Sequence, residues 1–174
     1  AAALAEAKRA EAAALAEAEE LSFESSAKKV SIKQDGRRFR STSACLVFCS
    51  PPLEKMLVPR VRLRLLEAAE LYIYVGAAPA NVKSHNQSPN ERGLGFAKDG
   101  AVRFKSFGGG GNSNKARAFG IGDEIELRYD APKGIVQLWA KKGAFVMINE
   151  YGPIPQGWRF AVGCAWPSKC AFEL

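Results

Sequence analysis

Between residues 120 and 143 the chain reads GIGDEIELRYDAPKGIVQLWAKKG, and no other stretch restricts the fold as much. Ile125, Leu127 and Tyr129 alternate with Glu124, Glu126 and Arg128, the period-two pattern of a strand with one buried face. Turn chemistry follows at residues 130–134, where Pro132 presets φ and Gly134 accepts a positive φ without a Cβ penalty. Ile135, Gln137 and Trp139 then alternate with Val136, Leu138 and Ala140, and Lys141-Lys142-Gly143 closes the run. Two alternating runs across a tight turn predict an antiparallel hairpin, with Ile125, Leu127 and Trp139 as scaffold. A lone hairpin is marginal in water, so the remaining chain must supply partner strands.

It does so from residue 22 onward. Residues 29–33 alternate, a Gln-Asp-Gly turn follows, and residues 39–48 read as one longer strand stopped by Ser50-Pro51-Pro52. Residues 59–65 form an amphipathic strand, with Val61, Leu63 and Leu65 on one face and Arg60, Arg62 and Arg64 on the other. Residues 70–76 read as its hairpin partner. A polar loop at 81–92 holds the sole histidine, His85. A hairpin over 93–97 and 101–107 turns on Lys98-Asp99-Gly100, and a glycine-rich loop spans 108–116. Residues 145–148, 158–165 and 169–172 complete about eleven short strands with no helical pattern between them, which predicts an all-β antiparallel sandwich or barrel. With 174 residues, the chain is long enough for one domain with a substantial core.

Residues 1–21 differ: Ala/Glu-rich, without Gly, Pro or β-branched residues, they have near-maximal helix propensity. A helix of that length reaches about 30 Å. Leu4 and Leu15, eleven apart, share a face of a nearly straight helix. Two leucines are too few for a sustained heptad seam, so the expectation is a solvated helix, stalk or coiled-coil end with weak self-association at most. The domain division is therefore a helix over 1–21 and a sandwich over 22–174. The formal charge of +7 is uneven, since the excess of basic residues is concentrated between Lys28 and Arg64. No apolar run of 18 or more residues predicts a membrane span, and no signal peptide is visible. A start at Ala1 rather than Met reads as a piece of a longer chain. The expected setting is cytoplasmic, with a cytoskeletal surface as one candidate.

The ordered pieces resemble the SPRY domain, a concanavalin A-like β-sandwich. GLGFAKDGAVRF followed by a Gly-rich loop carries the most specific part, then GD-x-I-x-L-x-x-D, a short turn and a strand ending in a basic-Gly turn. LRLLEAAELYIYVGAA, Pro153-Ile-Pro155 and RFAVGCA are similar to flanking family strands. Trp139-Ala-Lys-Lys-Gly143 departs from the family's aromatic-Asn-Gly turn. The resemblance implies a two-sheet sandwich, no shared catalytic apparatus, and protein recognition through loops at one end.

His85 has no pinned nucleophile or orienting carboxylate, so a triad is not supported. Asp123 and Asp130 lie about 23 Å apart along a strand, too far for an acid/base pair, and read as turn caps. Cys45 and Cys49 on one strand are about 13 Å apart, so no metal site and no cofactor are expected; pairing of either with Cys164 or Cys170 stays open. The loop at 108–115 lacks the GK-[ST] helix start of a phosphate loop. Binding candidates are the loop residues His85, Asn86, Asn90, Arg92, Asn112, Asn114, Tyr151 and Trp158, with Tyr151 the best exposed aromatic. The second candidate is a basic face of Arg37, Arg38, Arg40, Arg60, Arg62 and Arg64, which share one surface if their strands pair.

The reading that follows is a non-catalytic protein–protein interaction module or scaffold of a larger intracellular protein, recognising a partner through its loops. One alternative is docking of an acidic surface or polyanion on the arginine face. Specific nucleic-acid readout is not expected, because Val61, Leu63 and Leu65 point away from that face. Another is a lectin-like sandwich, which requires a calcium or Asn/Asp cluster beside an exposed aromatic.

Overall fold

The computed structural model describes residues 5, 6, 9, 21–33, 35–56, 58–68, 73–79, 81, 93–98, 102–103, 119–165 and 169–174. In chain order the strands are β1 (Ser22–Glu24), β2 (Val30–Lys33), β3 (Arg38–Ser41), β4 (Cys45–Ser50), β5 (Arg60–Ala68), β6 (Ile73–Pro79) and β7 (Leu94–Ala97). They continue as β8 (Val102–Arg103), β9 (Glu124–Asp130), β10 (Ile135–Lys142), β11 (Ala144–Tyr151), β12 (Trp158–Cys164) and β13 (Cys170–Glu173). Two antiparallel sheets result, one in the order β1-β4-β12-β6-β7-β8 and one in the order β11-β10-β9-β5-β13-β3-β2. Of the N-terminal run only Ala5, Glu6 and Arg9 are described, all helical; Leu4 and Leu15 lie outside the described residues. No helix among the described residues is long and apolar enough to cross a membrane.

Period-two alternation builds the interior as expected. Val61, Leu63 and Leu65 on β5, Ile125 and Leu127 on β9, and Val136, Leu138 and Ala140 on β10 all face inward and are buried. Opposite them, the six-stranded sheet contributes Val47, Val75, Phe96, Phe160 and Val162. Phe39 stacks on Phe172 at 5.7 Å between centroids, and the edge of Phe23 meets Phe39 at 4.8 Å. Burying each large apolar side chain is worth about 2 kcal/mol. The hairpin of β9 and β10 pairs Asp130 with Ile135, and Gly134 takes φ of +67° in its turn.

Two strand expectations are corrected. Residues 39–48 are not one strand: the chain breaks after Ser41 and crosses from the seven-stranded sheet, as β3, to the six-stranded one, as β4. Thr42-Ser43-Ala44 has too little apolar side chain to hold a ladder at the crossing. Nor do β5 and β6 form a hairpin. They lie in opposite sheets, β5 between β9 and β13, β6 between β12 and β7.

The six-stranded sheet is buried on its far face as well. Leu46, Phe48, Ala78 and Ala161 form a second buried cluster there. The Arg159 guanidinium lies 5.7 Å from the Phe48 ring and pairs with Glu24 at 2.8 Å. Burial on both faces explains why Cys45-Leu-Val-Phe-Cys49 is continuously apolar.

Strand packing also forbids side chains at particular glycines. A Cβ on Gly163 would lie 2.0 Å from the Cys45 carbonyl oxygen, whereas one on Gly122, at φ of +87°, meets nothing within 4 Å. Gly163→Ala is therefore expected to cost about 3 kcal/mol through backbone displacement. Gly122→Ala is expected to cost about 1 kcal/mol through its φ alone. Denaturant unfolding of the two variants measures that order.

Candidate functional site

The outward face of the seven-stranded sheet gathers the chain's most concentrated polar chemistry. The arginine strands do not pair directly, because β13 stands between β3 and β5. Their arginines still share a face, but each row is interleaved with carboxylates. Arg38 pairs with Glu173, and Arg40 is held by both carboxylate oxygens of Glu67, at 2.8 and 3.1 Å. Arg64 meets Glu124 at 2.8 Å, and Lys141 meets the same carboxylate at 2.7 Å. Arg62 donates from Nε to Glu126 at 2.6 Å, and Arg128 donates to its other oxygen. Arg60 lies opposite Arg128 in the ladder, and Arg37 sits in the turn before β3. The expected basic face is thus a mixed-charge lattice. Its counter-charges come from β9, the start of the hairpin, from the end of β5 and from the C-terminal strand.

Glu126 is fully buried, unlike its neighbours in that lattice. Burial pushes its carboxyl up, but the hydrogen bonds from Arg62 and Arg128 outweigh that and hold it below the ordinary range. Glu124 is also held low, by hydrogen bonds from Lys141 first and Arg64 second.

Beside this lattice lies an aromatic and sulfur patch that the sequence reading missed. Trp139 was expected to be scaffold. It lies instead on the outward face in register with Met147, and its ring is half-exposed. The Arg128 guanidinium stacks 3.8 Å from the Trp139 centroid, and Nε1 of Trp139 donates to Gln137 at 3.1 Å. Gln137 in turn donates to Glu150 at 2.9 Å. Phe145 joins from β11 with Arg62 5.2 Å from its centroid. Met147 is 42% exposed and Val146 49% on this edge strand. Trp139 shares parity with Gln137 and Lys141, not with Leu138; that alternation was the available signal.

The loop candidates fare differently. His85, Asn86, Asn90, Arg92, Asn112 and Asn114 lie outside the described residues. Trp158, expected at a loop, opens β12 opposite Pro79 and is buried in the core at 5% exposure. Tyr151 ends β11, half-buried and packed on the core rather than freely exposed. Asp123 caps its turn as expected, accepting from the Gly120 backbone N–H at 2.7 Å, and Asp130 pairs with Lys133 at 3.1 Å.

All four cysteines are buried, and none is in a disulfide. Burial pushes Cys49 up to about 12. Cys45 instead touches Cys164 and Cys170, each at 3.9 Å between sulfurs, and hydrogen bonding from Cys164 and then Cys170 holds its thiol low.

No family model and no curated protein matches the chain. Solved structures do. It is similar to the TRIM65 PSpry domain, with TM-score 0.62 and 9% identity over 88% of this chain and 90% of that one. It is similar to the SPRY domain of human HERC1, with TM-score 0.59 and 11% identity over 84% and 93%. It is also similar to stonustoxin, with TM-score 0.60 and 15% identity over 88% of this chain, which spans 28% of that longer one. The chain has the SPRY fold, as its sequence motifs implied.

Replacing Glu126 by Gln leaves a buried amide between two guanidinium groups and is expected to cost about 2 kcal/mol at neutral pH. The carboxyl's folded pKa is depressed, so its stabilisation is complete above the unfolded value of about 4.3. That stabilisation is lost as pH falls through the lower, folded value. Unfolding measured from pH 7 to pH 3 is therefore expected to show the gap between wild type and Glu126→Gln closing as the acid limb is reached.

Proposed function

We propose that this domain is a non-catalytic protein-interaction module whose anchor is the outward patch of Trp139, Phe145 and Met147. One observation carries the reading: a half-exposed indole held by a stacked arginine, beside an exposed methionine, on a paired strand. Trp and Arg are the side chains that most often dominate interface energies, and methionine adapts to varied partner shapes. Holding Trp139 and Arg128 in place before binding reduces the ordering cost of association. The SPRY fold supports a binding role by analogy with its neighbours.

Recognition through the loops at one end is the second surface. Trp158 lies opposite Pro79, and residues 152–157 connect Tyr151, the end of β11, to Trp158. Docking of a polyanion on the arginine face is the weaker reading, because Arg38, Arg40, Arg62 and Arg64 each already hold a carboxylate. For the lectin-like reading, the metal-ligand grouping among the described residues is made of three cysteines, not of acidic side chains.

The test is affinity capture and quantitative binding with a partner so identified, using the whole chain. Trp139→Ala with Met147→Ala is expected to weaken binding by at least about tenfold, or 1.4 kcal/mol. Arg64→Glu is expected to leave it within about threefold. Unchanged binding in the double variant, with loss on substitution of Asn90, Asn114 and Tyr151, moves recognition to the loop end. Steep salt dependence lost in Arg64→Glu moves it to the charged face.

A further inference from the structure

Three cysteines far apart in sequence converge at one end of the sandwich. Cys45 opens β4, Cys164 closes β12 opposite it in register, and Cys170 opens β13 in the other sheet. Their sulfurs all lie within 4.8 Å of one another, with Cys45 at 3.9 Å from each of the other two. All three side chains are fully buried, which leaves no room for water as a ligand. Cys49 is the fourth residue along β4 from Cys45, about 13 Å away, and belongs to no such group.

We propose that Cys45, Cys164 and Cys170 form a three-sulfur site for a soft monovalent metal ion, Cu(I), that ties the two sheets together. A metal–sulfur bond of about 2.3 Å requires sulfurs about 4.0 Å apart around a trigonal ion and about 3.8 Å apart around a tetrahedral one. The two separations from Cys45, 3.9 Å each, fit either, and the third pair lies within 4.8 Å, so ligand number decides. A structural zinc ion takes four protein ligands. Among the described residues no histidine, carboxylate or fourth cysteine joins this group. Three soft donors with nothing harder beside them suit Cu(I). The Cys164 thiol donates to the Ser43 carbonyl at 3.3 Å, and the buried Ser41 hydroxyl donates to the same carbonyl at 2.8 Å.

Binding exchanges protons for metal. Each S–H that ligates releases its proton to solvent as the S–Cu bond forms, and copper enters and stays as Cu(I), so no oxidant or reductant is needed. A short segment separates the site from solvent. Thr42 is exposed, and Ser43 and Ala44 are half-exposed, so one short segment of chain covers the sulfurs on that side.

The experiment titrates the reduced whole chain anaerobically with Cu(I) against a chromogenic Cu(I) chelator, and in parallel with Zn(II) against a zinc chelator. Wild type is expected to take up one Cu(I), with three sulfur neighbours by X-ray absorption and a raised Tm. Cys49→Ala is expected to bind equally well, and Cys170→Ala more than about 100-fold more weakly. Circular dichroism of the metal-free variants checks folding. Should Cys170→Ala not fold, the sulfur count on wild type decides alone. No stoichiometric Cu(I) uptake, fewer than three sulfur neighbours, or undiminished uptake by a folded Cys170→Ala overturns the site. Preferential retention of Zn(II) in a four-ligand shell overturns the Cu(I) assignment.

Discussion

Strand β5 carries the constraint on which the seven-stranded sheet depends. It pairs with β9 on one side and β13 on the other, and over residues 60–65 arginine alternates with an aliphatic residue. Register against β9 is therefore doubly specified. Val61 and Leu63 must meet Leu127 and Ile125 inside, while Arg62 and Arg64 must meet Glu126 and Glu124 outside. A slip of one residue would place guanidinium groups in the core and leave Glu126 buried without a cation. The cost of an unpaired buried charge makes that alternative inaccessible. In this sense the ion pairs select a register, whereas the aliphatic face supplies the stability.

Much of this was legible locally. Alternation in the β9–β10 hairpin located both strands and the turn between them, because strand parity and turn chemistry are properties of neighbouring residues. The same parity gave the inward face of β5. What failed was pairing. β5 and β6 are adjacent in sequence and both apolar on alternate positions, so they looked like a hairpin, yet they occupy opposite sheets. Nothing local distinguishes a hairpin from a crossover when the connection is short. The arginines were legible as a row, but their counter-charges on β9 and β13 were not, since Glu126 and Glu173 are 64 and 135 residues from Arg62 and Arg38.

The cysteines show the same limit more sharply. Spacing within β4 separates Cys45 from Cys49, and that inference stands in the structure. It spoke only of neighbours along the strand. Cys164 and Cys170 reach Cys45 across 119 and 125 residues, through the pairing of β4 with β12 and the crossing of the chain to β13. A cluster assembled by topology leaves no motif.

The two sheets also divide the surface between them. Leu46, Phe48, Ala78 and Ala161 are buried on the far side of the six-stranded sheet, so that face is packed rather than presented. The seven-stranded sheet has one packed face and one wet face, and the wet face carries paired charges over β3, β13, β5 and β9. Paired charges keep their hydration and resist docking, since a partner must displace water without gaining a new counter-ion. Toward β10 and β11 the lattice gives way to Trp139, Phe145 and Met147, whose burial against a partner is favourable. Arg62 and Arg128 join the two regions: each is bonded to Glu126 and each faces a ring, Phe145 or Trp139. The buried carboxylate that specifies the strand register thereby also orients the rings available to a partner.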